Sequence, residues 1–98
     1  MAVTRAQLLG DISGNIKIGN ATTGCSLTTG TNNTFIGVGA GSCNVTGNHN
    51  NFIGQCAGFS NTTGGYNNIF GLQAGLCGAG GAHTNIFGAL AGCCNSGN

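Results

Sequence analysis

The chain is 98 residues long, so it forms at most one domain with a modest core. Only three residues are charged, namely Arg5, Asp11 and Lys17. This excludes the basic surface that nucleic acid requires and the acid–base pairs of most hydrolytic enzymes. We therefore expect no nucleic-acid binding and no enzymatic activity. We expect no metal either, because the cysteines and histidines lack the spacing of a zinc site, and no cofactor. Because no segment approaches 18 apolar residues, we expect no membrane insertion either.

The first 13 residues, MAVTRAQLLGDIS, contain two of the three charges and none of the repeats described below. Thr4 to Leu9 is predicted to form a short helix, with Thr4 as N-cap and Gly10 ending it. Residues 1–13 have no apolar run typical of a signal peptide, so we expect synthesis in a cytoplasm. Two roles remain open for this segment: it caps the repetitive region, or it docks the chain onto a larger assembly.

Residues 14–98 form the repetitive region, in which a glycine follows each of five residue pairs. These glycines are separated by 18, 17, 17 and 17 residues, at Gly19, Gly37, Gly54, Gly71 and Gly88. A period of 17 is too short for a pair of helices and differs from the coiled-coil heptad. The spacing predicts an all-β protein, a β-solenoid shaft of five 17-residue rungs, each with two or three short strands broken at glycines.

The pairs before these glycines predict the faces of the strands. They are Lys17-Ile18, Phe35-Ile36, Phe52-Ile53, Ile69-Phe70 and Ile86-Phe87. Successive side chains of a strand point to opposite faces, so if Ile36 points inward, Phe35 points outward. Phe52, Ile69 and Ile86 would then continue an outward apolar stripe. In the alternative, both residues of a pair lie inside at a corner.

An outward apolar stripe predicts self-association, because a monomer would expose it to water. We expect a homotrimer around one axis. The three chains would contact one another through the column Phe35, Phe52, Ile69 and Ile86. The alternative is the column one residue further on, Ile36, Ile53, Phe70 and Phe87.

Polar residues recur at fixed places in the same repeat. Four before the glycine stand Asn15, Asn33, Asn50 and Asn67, which predict a ladder of side-chain amides along the stack. Six after the glycine stand Cys25, Cys43, Cys77 and Cys94, with Ser60 in the third rung. We expect this cysteine ladder to pack as free thiols, and a disulfide between rungs or chains is the alternative.

Two histidines and a tyrosine, His49, Tyr66 and His83, occupy the place five before the glycine. We expect outward-facing loop side chains. The alternative is that each histidine forms a ring of three imidazoles around a threefold axis and binds a metal ion.

The second rung carries Asn33-Thr34-Phe35-Ile36-Gly37, Ala40-Gly41 and Asn44-Val45-Thr46-Gly47, and the third rung nearly repeats it. These residues resemble the N-T-F-I-G-x-x-A-G-x-x-N-T-T-G repeats of phage tail fibres and other trimeric surface fibres and adhesins. The cysteine-rich form resembles that of phages infecting marine cyanobacteria. Two rungs depart from the pattern. The first has Thr22-Thr23-Gly24 and an extra residue, and the fourth has Gly78-Ala79-Gly80-Gly81.

The resemblance implies a structural virion protein, assembled in the host cytoplasm, that is part of a trimeric tail or capsid fibre projecting toward the host surface. Its partners would be two further copies of itself, other virion proteins bound through the N-terminal segment, and a host surface receptor. Two alternatives remain. An ice-binding solenoid needs longer threonine rows than the two-rung rows here, and a bacterial surface adhesin segment needs a secretion signal.

Overall fold

A computed structural model of the protein describes residues 13–76 and 81–92. Five strands of three residues each, β1 to β5, lie in these ranges: Ile16–Ile18, Thr34–Ile36, Asn51–Ile53, Asn68–Phe70 and Asn85–Phe87. Turns and bends that contain many of the glycines and asparagines connect them. The expectation of two or three strands per rung is therefore wrong for the described residues, because these residues interrupt extended backbone soon after each strand.

The strands form one parallel sheet in the order β1-β2-β3-β4-β5. Ile16 pairs with Thr34, Thr34 with Asn51, Asn51 with Asn68 and Asn68 with Asn85. The offsets between paired residues are therefore 18, 17, 17 and 17. The described residues contain no helix. The prediction of an all-β solenoid with a 17-residue rung is confirmed, and the strands span about four turns.

The core contains the second residue of each of the strands β2 to β5, together with Ala40, Ala57 and Ala74. Phe35, Phe52 and Ile69 have no exposed surface, and Ile86 is 8% exposed. The predicted direction of this column was wrong, because these side chains point into the coil. Alternation then places the next residue of each strand on the outside. We call Phe35, Phe52, Ile69 and Ile86 the inner column, and Ile18, Ile36, Ile53, Phe70 and Phe87 the outer column.

Space for the inner rings is provided by glycines later in each rung. Gly41 and Gly58 adopt φ values of 60° and 59°. A Cβ on Gly41 would lie 2.7 Å from atoms of the Phe35 ring, and one on Gly58 would lie 2.6 Å from the Phe52 ring. The two rings stack with centroids 5.2 Å apart. A side chain at these glycines would therefore displace the core and strain the backbone.

The extra residue of the first rung lies between Gly19 and Thr23. The Gly24 N–H donates to the Ala40 carbonyl, as the Gly41 N–H donates to the Ala57 carbonyl, so Gly24 is equivalent to Gly41. Asn20 Oδ1 closes the inserted turn by accepting from the N–H of Thr22 at 2.9 Å. In consequence Cys25 is level with Ser42 and not with Cys43, so the predicted cysteine ladder is out of register at its first step.

Buried amides connect the rungs, as predicted. In this inner asparagine ladder, the Oδ1 of each asparagine accepts from the backbone N–H of the equivalent residue one rung on, at 2.9–3.0 Å. Each Nδ2 donates to a glycine carbonyl of the next rung at 2.8–2.9 Å. The ladder runs through Asn15, Asn33, Asn50 and Asn67 and ends on Thr84. It satisfies polar backbone groups that have no access to water.

Candidate functional site

The outer column and its surroundings form an uncharged, partly apolar face. Ile18 is 39% exposed and Phe87 is 64% exposed, whereas Ile36, Ile53 and Phe70 are half-buried. The Phe70 and Phe87 rings stack with centroids 4.8 Å apart and planes 4° from parallel. Val38 and Leu72, which follow the strands, are also exposed. Stacking therefore covers the ring faces but leaves the outer edges of this column exposed.

A second, outer asparagine ladder lies on the same face, two residues before the outer column. Asn51 Nδ2 donates to Asn68 Oδ1 at 2.8 Å, and Asn68 Nδ2 donates to Asn85 Oδ1 at 2.9 Å. Unlike the inner ladder, it is partly exposed. This ladder was not predicted, although an asparagine stands three residues before the glycine in three successive rungs of the sequence. The outer face therefore combines an amide row with an apolar row.

His49, Tyr66 and His83 form a ring stack on the exposed corner before the strands. All three have left-handed backbone, with φ of 60° or 61°. The ring centroids are 4.9 Å apart for His49 and Tyr66, and 5.1 Å apart for Tyr66 and His83. Both faces of Tyr66 are therefore covered, so its ring cannot serve as a platform for a flat apolar ligand such as a sugar face.

The same stack separates the two imidazoles by an intervening ring, so the histidines of one chain cannot share a metal ion. Among the described residues there is no group of three or more histidines, cysteines or carboxylates able to hold one. A ring of imidazoles contributed by three chains stays an untested alternative.

The cysteines of residues 13–76 are free thiols. Cys25 is exposed, Cys43 and Cys56 are half-buried, and Cys25 Sγ lies 3.6 Å from the carbonyl oxygen of Ser42. Cys77 and Cys94, the last two members of the predicted ladder, lie outside the described residues, as does the predicted helix at Thr4 to Leu9. The register shift at Cys25 means that a serine, not a cysteine, is its neighbour in the next rung.

The comparisons with known proteins identify no relative. No protein-family model matches the sequence, and neither the curated proteins nor the solved structures give a significant match. Residues 13–76 and 81–92 contain no helix that could span a membrane.

Proposed function

We propose that this protein is a non-catalytic structural protein, a shaft segment of a homotrimeric fibre in which three solenoids pack through their outer columns. The observation that carries the proposal is the outer face of the sheet. It stacks apolar side chains in five successive rungs and contains no charged residue. A charged group in such a seam would lose its hydration, whereas uncharged amides and apolar side chains are suited to contact with identical chains.

The proposed seam differs from the first of the two predicted columns. Phe35, Phe52, Ile69 and Ile86 are enclosed within one chain and are not accessible to a partner. Ile36, Ile53, Phe70 and Phe87 are the neighbours one residue on, and they are the members of the repeat that a second chain can contact. Around a threefold axis each chain would present this column to two others, which is the arrangement that a trimer requires.

The assignment to a virion is supported by the resemblance of the rungs to phage fibre repeats. A repetitive rod whose described residues include one charged side chain, Lys17, suits a spacer that holds a receptor-binding part away from the particle and toward the host surface. In this proposal the N-terminal segment attaches the shaft to other virion proteins. Tail fibre and capsid fibre are equally compatible with these features.

Measuring the mass of the assembled particle in solution tests the trimer, together with one pair of variants. Phe70→Asp places three carboxylates in the proposed seam, so we expect the trimer to dissociate into monomers. The matched control is Thr62→Asp, which adds the same charge at an exposed position outside the strands. We expect the control to remain trimeric.

Circular dichroism of both variants distinguishes dissociation from unfolding, because the strand signal persists in a folded monomer. A monodisperse monomer from the unmodified chain would overturn the trimer. A thermal-hysteresis measurement on the same sample separates a fibre from an ice-binding solenoid, and we expect no hysteresis.

A further inference from the structure

Two glutamines, which we call the corner glutamines, lie on the corner that follows the strands. Gln55 is the first residue after Gly54 and is exposed, and Gln73 is the second residue after Gly71 and is half-buried. Neither side chain forms a hydrogen bond with another described residue. The remaining glutamine of the sequence, Gln7, lies outside the described residues. Both described glutamines are therefore on one edge of the outer column.

Backbone hydrogen bonds hold this corner in place from rung to rung. The Cys56 N–H donates to the Val38 carbonyl at 2.8 Å, and the Gln73 N–H donates to the Gln55 carbonyl at 2.8 Å. These bonds continue beyond the strands the ladder that the strands themselves form. The corner glutamines therefore occupy consecutive rungs on a fixed part of the backbone.

The outer asparagine ladder lies on the opposite edge of the outer column. Asn68 accepts from Asn51 through its Oδ1 and donates to Asn85 through its Nδ2. A side-chain amide has two N–H donors and two acceptor lone pairs, and the ladder uses one of each at Asn68. Asn51 and Asn68 are only half-buried within the chain. This ladder therefore has hydrogen-bonding capacity left for a partner.

The amides on the two edges occur in the same rungs. The third and fourth rungs have an asparagine on one edge and a glutamine on the other, whereas the second rung, with Thr34 and Val38, has an amide on neither. The fifth rung has Asn85 on the first edge alone. Within one chain the outer column separates the two edges, and no hydrogen bond between described side chains joins them. The coincidence is therefore of use only where two chains meet.

A threefold axis would bring these two edges together. Contacts in a cyclic trimer are heterologous, so one surface of each chain meets a different surface of the next. With the outer columns facing the axis, the corner edge of each chain meets the asparagine edge of its neighbour. Rotation about the axis moves no chain along it, so equivalent rungs lie level.

We propose that the corner glutamines bind the outer asparagine ladder of the neighbouring chain, Gln55 contacting Asn51 and Gln73 contacting Asn68. The partner is a second copy of this chain, because its rungs have the same spacing and carry amides at the same levels. Each pair satisfies amide groups from which the seam excludes water. Polar pairs of this kind select which edges meet and which rungs lie level, as a buried asparagine selects the register of a coiled coil. This inference rests on the proposed trimer.

A double-mutant cycle on the full chain tests the contact, with trimer dissociation measured by sedimentation. Asn68→Asp and Gln73→Lys each place three uncompensated charges in the seam and should weaken the trimer. In the double variant each carboxylate faces an ammonium group of the next chain. We expect each of the three contacts to recover at least about tenfold in affinity over the product of the single effects, and less at high salt.

The matched control combines Gln73→Lys with Thr62→Asp, which gives the chain the same charges but leaves the carboxylate outside the seam. We expect it to show no recovery. A trimeric unmodified chain whose double variant recovers no more than this control would overturn the glutamine contact and leave the trimer standing. Recovery in the free energy of unfolding of the monomer would also overturn it, because the charges would then pair within one chain. A monomeric unmodified chain would overturn the trimer itself and this contact with it.

Discussion

The inner and outer columns consist of adjacent residues with nearly the same composition, but they have opposite environments. Phe52 is completely buried, whereas Phe87, in the other column, is 64% exposed. Both columns contain stacked phenylalanines, at 5.2 Å for Phe35 and Phe52 and at 4.8 Å for Phe70 and Phe87. What differs is the layer across from them. Glycines and alanines of the same rung close over the inner column, whereas no layer of residues 13–76 and 81–92 closes over the outer one.

Truncating one ring in each column should give the largest difference in stability. Phe52→Ala removes a fully buried ring and leaves a cavity between two rungs, so we expect a loss of about 3–5 kcal/mol in the free energy of unfolding. Phe70→Ala removes a half-buried ring from the outside of the same sheet, and we expect a loss of about 1 kcal/mol within an isolated chain. Chemical denaturation of the two variants measures both values.

Protein concentration sharpens this comparison. If the outer column forms the trimer seam, the loss for Phe70→Ala should grow with protein concentration, because association contributes to the stability of the unmodified chain. The loss for Phe52→Ala should change much less, since that ring contacts its own chain. Equal losses for the two variants at low concentration would show that the columns are not inside and outside as described.

The alternation of side chains along the strands was predictable from the sequence, but which of the two columns points inward was predicted wrongly. Phenylalanine and isoleucine exchange places between Phe35-Ile36 and Ile69-Phe70, so volume and hydropathy do not distinguish the two columns. The recurrent asparagines do distinguish them. Asn50 lies two residues before Phe52 and therefore on the same face, and a ladder that satisfies backbone groups is most valuable inside the coil.

Other features followed from spacing to different extents. The 17-residue rung was predictable because the glycine after the strand must accept an unusual φ in the second to fifth rungs, as Gly54 does at 131°. The position of the extra residue in the first rung was not predictable, because Thr22 and Thr23 are equally good matches to the repeat. Only the hydrogen bond from Gly24 to Ala40 fixes it. Packing of the outer columns of three chains against one another depends on partner chains, so the trimer stays a prediction.

The two asparagine ladders provide the second comparison. Asn50 accepts from the Asn67 N–H at 3.0 Å and donates to the Gly64 carbonyl at 2.8 Å, both in buried surroundings. Asn50→Ala leaves the buried Asn67 N–H without its acceptor, whereas the Gly64 carbonyl keeps the bond that Asn61 Nδ2 donates at 3.0 Å. We therefore expect a loss of about 1–3 kcal/mol. Asn68→Ala breaks the exposed ladder, where water replaces the lost bonds, and we expect less than about 1 kcal/mol.

Hydrogen exchange separates these two effects at the level of single residues. In Asn50→Ala the amide of Asn67 should exchange faster than in the unmodified chain, whereas in Asn68→Ala it should be unchanged. A small effect of Asn50→Ala on both stability and exchange would mean that water enters the coil at this ladder, which would contradict its burial.

The smallest expected effects are at Tyr66, where stacking and backbone strain oppose each other. Its ring contacts His49 and His83, and a non-glycine residue at φ 60° is strained by about 1 kcal/mol. Tyr66→Ala loses the stacking and keeps the strain, whereas Tyr66→Gly loses both. We therefore expect the alanine variant to be about 1 kcal/mol less stable than the glycine variant, and Tyr66→Phe, which keeps the stack, to match the unmodified chain within about 0.5 kcal/mol. Denaturation midpoints of the three variants test this, and an alanine variant as stable as the glycine variant would show that the corner is not strained.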